Sequence, residues 1–129
     1  MRKYLFIILL ASFAFPALSH ASSLLSINYT DSIPAKEAAN HYNQTLKVYG
    51  TVSGGRWLQS SKVTLINVEG AYPNHALTLM IKDEDRSKFN YAPEEFLKGK
   101  KIMVTGKVIE YKGKPEIVVT EAEQIAVLE

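Results

Sequence analysis

KIMVTGKVIEYKGKPEIVVT, Lys101 to Thr120, is the stretch whose reading decides the fold. Ile102, Val104 and Val108 alternate with Met103, Thr105, Lys107 and Ile109, the period of two expected of a half-buried strand. Tyr111-Lys112-Gly113-Lys114-Pro115 reads as a tight turn. Gly113 can supply a positive φ, and Pro115, which cannot donate to a central ladder, suits the first residue of a returning strand. Glu116 to Thr120 is that strand. Gly106 lies in mid-strand, where a glycine marks a bulge or a sharp bend. A bent hairpin of this kind is a unit of a small closed barrel.

Upstream, Thr45 to Ser53 predicts a first strand. Its Leu46-x-Val48-x-Gly50-x-Val52 repeats the Ile102-x-Val104-x-Gly106-x-Val108 pattern, as expected of two strands that both bend at glycine. Gly54 to Ser61 reads as a long connection carrying the only tryptophan, Trp57. Lys62–Val68 and Ala76–Lys82 predict the second and third strands, separated by a turn or loop over Glu69–His75. Asp83–Tyr91 is polar, with Phe89 as an anchor. Ala92–Gly99 predicts a short helix with Pro93 in its first turn and Gly99 as its cap. Ala35, Ala38, Ala39 and Tyr42 form one apolar stripe of an N-terminal helix over Pro34–Tyr42. Ile125 and Val127 belong to a last strand or tail. The fold class is therefore mainly β: a five-stranded Greek-key OB-fold barrel with an N-terminal helix and a short helix between strands 3 and 4. SH3-like barrels are the competing architecture.

The 129 residues suit one domain and one core. Residues 1–21 read as a signal peptide: a cationic Met1-Arg2-Lys3, an apolar run from Tyr4 to Phe15, and a small-x-small end at Ser19-His20-Ala21. Residues 22–32 form a flexible lead-in and 33–129 the domain. The whole chain is net +2, and removing Arg2 and Lys3 leaves residues 22–129 neutral. Polyanion binding by global charge is thus not expected; it must come from local clustering. There is no cysteine, so the domain rests on its apolar core and has no lipid attachment near the cleavage site. The expected location is the periplasm or outside the cell, without stable membrane insertion once the signal is cleaved. Asn28-Tyr29-Thr30 and Asn43-Gln44-Thr45 are read as chance glycosylation triplets.

From about Ile33 to Leu128 the chain resembles bacterial OB-fold domains of the nucleic-acid-binding type, akin to the anticodon-binding domains of tRNA synthetases. The resemblance is carried by Thr64–Val68, by Gly70-Ala71-Tyr72-Pro73-Asn74, by Leu97–Val108 and by Glu110–Ile117. It implies a binding domain whose ligands are single-stranded nucleic acid, oligosaccharide or protein. In address and size the chain is also similar to small periplasmic OB-fold proteins.

In that fold, ligands cross strands 2 and 3 between the loop joining strands 1 and 2 and the loop joining strands 4 and 5. The first loop supplies Arg56, Trp57 and Lys62, and the second Tyr111, Lys112 and Lys114. Thr78, Met80 and Lys82 are expected on the side of strand 3 facing away from Leu77, Leu79 and Ile81. Cations that track phosphates and rings that stack on bases are the combination of single-strand binders. The competing reading makes Trp57 a plug for a barrel end and the lysines solubilising residues. No catalytic role, metal or cofactor is expected. Residues 22–129 hold only His41 and His75 as histidines, on different elements. Asp83-Glu84-Asp85 lacks the spaced ligands and turn glycine of a calcium loop. The expected function is a non-catalytic periplasmic module for single-stranded nucleic acid or another polyanion. The alternatives are a protein-interaction adaptor of the bacterial cell envelope and an oligosaccharide or small-ligand binder.

Overall fold

The computed structural model describes residues 32–129. The signal peptide, the lead-in up to Asp31 and the Asn28-Tyr29-Thr30 triplet lie outside the described residues. Seven strands follow: β1 (Ser32–Pro34), β2 (Thr45–Leu58), β3 (Val63–Val68), β4 (Leu77–Lys82), β5 (Lys101–Tyr111), β6 (Lys114–Val118) and β7 (Ile125–Val127). Two four-residue helices, α1 (Asp83–Arg86) and α2 (Pro93–Phe96), lie between β4 and β5.

The strand order is β1-β2-β3-β4-β6-β5-β7, and β2 also pairs with β5, so β2, β3, β4, β6 and β5 form a ring. β2 makes this possible by serving two neighbours. Thr45–Thr51 pairs antiparallel with β5, and Val52–Leu58 pairs with β3 after a register shift between Val52 and Gly54. The order β5-β2-β3-β4 is that of a Greek key. β4 and β6 run parallel, which the intervening α1, α2 and β5 allow. The domain is mainly β and OB-fold-like.

The alternation read from the sequence sets which side of each strand is buried. In β3 and β4, Thr64, Ile66, Val68, Leu77, Leu79 and Ile81 are buried while the residues between them are half-buried or exposed. One interior row runs Gly55, Ile66, Leu79, Ile117 and Val108 across five strands. Ile66, Leu79, Ile117 and Val108 are fully buried, each stabilising the fold by about 1.5–3 kcal/mol. The two mid-strand glycines behave as their shared pattern suggested. A Cβ on Gly50 would lie 2.7 Å from Val68 Cγ1, and one on Gly106 2.7 Å from Ile117 Cγ2. Both strands pass close against the core there.

Four expectations differ from the structure. Five strands were expected; the ring does have five, and two three-residue strands, β1 and β7, extend the sheet to seven. The segment expected as an α-helix over Pro34–Tyr42 is a 3₁₀ helix over Ala35–Asn40. Ala35 and Ala38 are buried and Ala39 is exposed, so the buried spacing is three, the period of the tighter helix. Gly54–Leu58 belongs to β2, because the two glycines form the bend at which the strand changes partner instead of opening a loop. Asp83–Arg86 is helical, and the polar segment that follows is tied back to the end of β6. There Lys88 pairs with Asp85 at 3.1 Å and with Glu121 at 2.9 Å, and donates to the Thr120 carbonyl.

Candidate functional site

Cross-strand partners share a face, so the register fixes what the ring presents outward. One outer row is Arg56, Leu65, Met80 and Val118. The next is Gly54, Asn67, Thr78, Glu116 and Ile109. Leu58, Val63 and Lys82 flank the first row, and Lys114 and Tyr111 pair beyond the second. The face therefore has a half-buried apolar centre made by Val63, Leu65, Met80, Val118 and Ile109. Arg56 and Lys82 stand at one end, and Lys114 and Tyr111 at the other. Lys82 to Thr78 is four residues and Glu116 to Lys114 two more. At about 3.3 Å per residue the two ends lie roughly 20 Å apart.

Six of the nine candidate residues thus share this face: Arg56, Thr78, Met80, Lys82, Tyr111 and Lys114. Lys62 and Lys112 sit in turns with positive φ, 60° and 51°. Lys112 holds its ammonium over the Tyr111 ring at 5.4 Å, and so stays with the second group. Lys62 is exposed beside Lys82, and its carbonyl accepts the Asp83 amide.

Trp57 does not join them. It pairs with Thr64, on the inner side of the sheet, at the end of the ring. Its Nε1 donates to Asp83 Oδ1 at 2.9 Å, and the Arg86 guanidinium lies over its ring at 3.8 Å. Arg86 is fixed by Glu94, at 2.8 Å to Oε2 and 3.1 Å to Oε1. Of this group Trp57 and Glu94 line a shallow cleft with Gly54, Gly55, Gln59, Glu95 and Lys98. The indole is held at the end of the strand ring by these contacts and is 40% exposed.

Three further residues, His75, Tyr72 and Glu116, stand at the face, and the sequence did not single out His75 or Glu116 for it. His75 is 9% exposed, and its Nε2 lies 2.7 Å from Thr78 Oγ1. Its Nδ1 is buried without a partner. Burial, then the Lys114 charge, pushes the imidazole below its ordinary pKa. Tyr72 stacks on His75 with centroids 5.8 Å apart and is itself largely exposed. The Lys114 ammonium donates to the Pro73 carbonyl, joining the β5–β6 hairpin to the Tyr72–His75 loop. Glu116, beside Thr78 in register, is 7% exposed, and burial pushes its carboxyl above the usual range. The signal for Glu116 was present in the alternation of β6, where a carboxylate falls midway between Lys114 and Val118. The signal for His75 was its spacing of three from Thr78 across a loop end, which names no partner by itself.

Among the described residues no group of three or more His, Asp or Glu is placed to hold a metal ion. No helix among them is long and apolar enough to cross a membrane.

No protein-family model and no curated protein matches the chain. Among solved structures it is similar to the "putative aspartyl-tRNA synthetase from Leishmania major Friedlin". That match has a TM-score of 0.51 at 14% identity and covers 88% of this chain and 23% of the synthetase chain. This chain thus spans less than a quarter of the protein it matches, and at that identity the likeness shows the fold. The strand ring and this likeness together describe an OB-fold-like β domain.

Proposed function

We propose that the protein is a non-catalytic OB-fold module, exported to the periplasm or beyond, that takes single-stranded nucleic acid or a similar polyanion across the outer face of β3, β4 and β6. The observation that carries the reading is the layout of that face. Half-buried apolar side chains lie in its centre, cations stand at both ends and aromatic rings at the Tyr111 end, on a chain whose residues 22–129 have no net charge. Bases stack on apolar and aromatic surface while phosphates follow the cations. A span of roughly 20 Å suits a few nucleotides, the lower range of OB-fold sites. The likeness to a tRNA synthetase structure supports the same direction.

Fluorescence anisotropy of labelled oligo(dT) at low salt tests it. Binding that weakens as salt rises, and that the doubly substituted Arg56→Ala/Lys82→Ala protein loses, is the expected result. No binding at low salt overturns the reading. Recovery of one stoichiometric, nuclease-resistant protein partner on the same face would assign it to an adaptor role. Export is tested by fractionating cells and sequencing the N-terminus of the product, which should begin after Ala21.

A further inference from the structure

Glu116 lies in the middle of the outer face, with Thr78 of β4 on one side and Ile109 of β5 on the other. It is more than nine-tenths buried, yet its carboxylate has neither a hydrogen-bond nor an ion-pair partner among the described residues. The nearest cation on the same face of β6, Lys114, is turned to the Pro73 carbonyl. The oxygens of the Glu116 carboxylate are not among the fully buried, unpartnered atoms, so they reach the surface of the face with their acceptor positions open. Burial raises its pKa, as expected for a charge without compensation. Next to it is Thr78, held by His75, whose Nδ1 is buried without a partner, and Asn67 lies one strand further along the same row. The stacked Tyr72 and His75 rings stand at the edge of this patch. A flat apolar face with buried polar groups left open is built to complete its bonds with a ligand.

A carboxylate offers two acceptor oxygens side by side and no donor. Its complement is a planar group with two adjacent N–H donors. Guanine presents that pair on its Watson–Crick edge, the ring N1–H beside the exocyclic amino group. Adenine and cytosine place an acceptor next to their amino group, and thymine flanks its single N–H with two carbonyls. We infer that Glu116 is a base-reading residue, and that this part of the face takes one guanine in preference to the other bases. The inference rests on the nucleic-acid reading of the face and adds to it a named base and a named residue.

The experiment compares labelled ten-nucleotide oligo(dT) carrying one central guanine, inosine, adenine or cytosine. Inosine keeps the ring N–H and lacks the amino group. The guanine strand should bind about tenfold tighter than the inosine strand, within the range of one bidentate contact. Glu116→Gln should abolish that difference, since an amide cannot accept at both positions. A circular-dichroism melt of the variant checks that it is folded, and the wild-type comparison does not depend on it. Equal binding of guanine and inosine strands by the wild type overturns the inference while leaving the proposed function standing. So does a guanine preference that survives in Glu116→Gln. Failure to bind any of the strands at low salt overturns both.

Discussion

Arg56 and Trp57 are consecutive on β2 and face opposite sides of the sheet: Arg56 pairs with Leu65 in an outer row, Trp57 with Thr64 in an inner one. The aromatic and cationic residues that look like one cluster in the sequence are two structures. One lies on the outer face proposed to take a ligand. The other is the closure of the ring end, made by Trp57, Asp83, Arg86 and Glu94.

Trp57→Phe should therefore act on stability more than on binding. It removes the indole donor to Asp83 and weakens the stack under Arg86. Urea unfolding should show a loss of about 1–2 kcal/mol, with oligonucleotide affinity changed less than twofold.

Glu94→Ala should be more damaging. The Arg86–Glu94 pair spans 2.8 Å, and its side chains are only 19% and 10% exposed. Removing the carboxylate leaves a guanidinium with a buried, unpartnered Nε and no counter-charge. The expected loss is about 2–4 kcal/mol in urea unfolding, because breaking one half of a buried pair strands the other.

The cations at the face should register in the salt dependence of binding. Arg56→Ala and Lys82→Ala should each flatten the slope of log affinity against log salt by about 0.7 for a single-strand ligand. Lys36→Ala, exposed on the 3₁₀ helix, should leave the slope unchanged.

Gly106→Ala tests the bend of β5. The added methyl meets Ile117 Cγ2 at 2.7 Å and Gln124 Nε2 at 3.3 Å. A destabilisation of about 1–3 kcal/mol is expected from overpacking. Ile117→Leu in the same chain, which lacks the Cγ2 methyl, should recover part of it, a coupling that a double-mutant cycle reads directly.

Two buried groups give the stability a pH dependence of opposite sign. His75 has a lowered pKa, so the fold favours the neutral ring. That stabilisation is complete above the ordinary value of 6.5 and is lost as pH falls through the lowered folded value. Glu116 has a raised pKa, so the fold favours the protonated acid. Its stabilisation is complete below the ordinary value of 4.5 and is lost as pH rises through the raised one. Urea midpoints between about pH 4 and 8 should show His75→Gln gaining on the wild type as pH falls below about 6.5. Glu116→Gln should gain on it as pH rises above about 4.5.

Much of the fold was legible because alternation is a local property. Ile102 to Val108 and Leu77 to Lys82 announce which side is buried, and Gly50 and Gly106 lie where the strand packs too closely for a side chain. Gly54-Gly55 misled, since a glycine pair reads equally as a loop or as a strand changing partner, and only the pairing with both β5 and β3 distinguishes them. The 3₁₀ helix was hidden for a similar reason: a short alanine-rich segment fits a spacing of three or of four until the surface it packs on is known. At the candidate site, six of nine residues fall on one face because strand period predicts sides. The isolation of Glu116 was not legible. That a carboxylate lacks a partner depends on what β4 and β5 place beside it, which is information about register and not about composition.

The two strands outside the ring, β1 and β7, are each three residues long. A backbone edge that short offers a neighbouring molecule almost nothing to pair with, and short edges are one way natural sheets resist joining end to end. Copies of this protein at high concentration have little means of polymerising through their main chains at these edges. Any assembly they form there must be specified by side chains, and can be tuned or abolished by single substitutions without touching the fold.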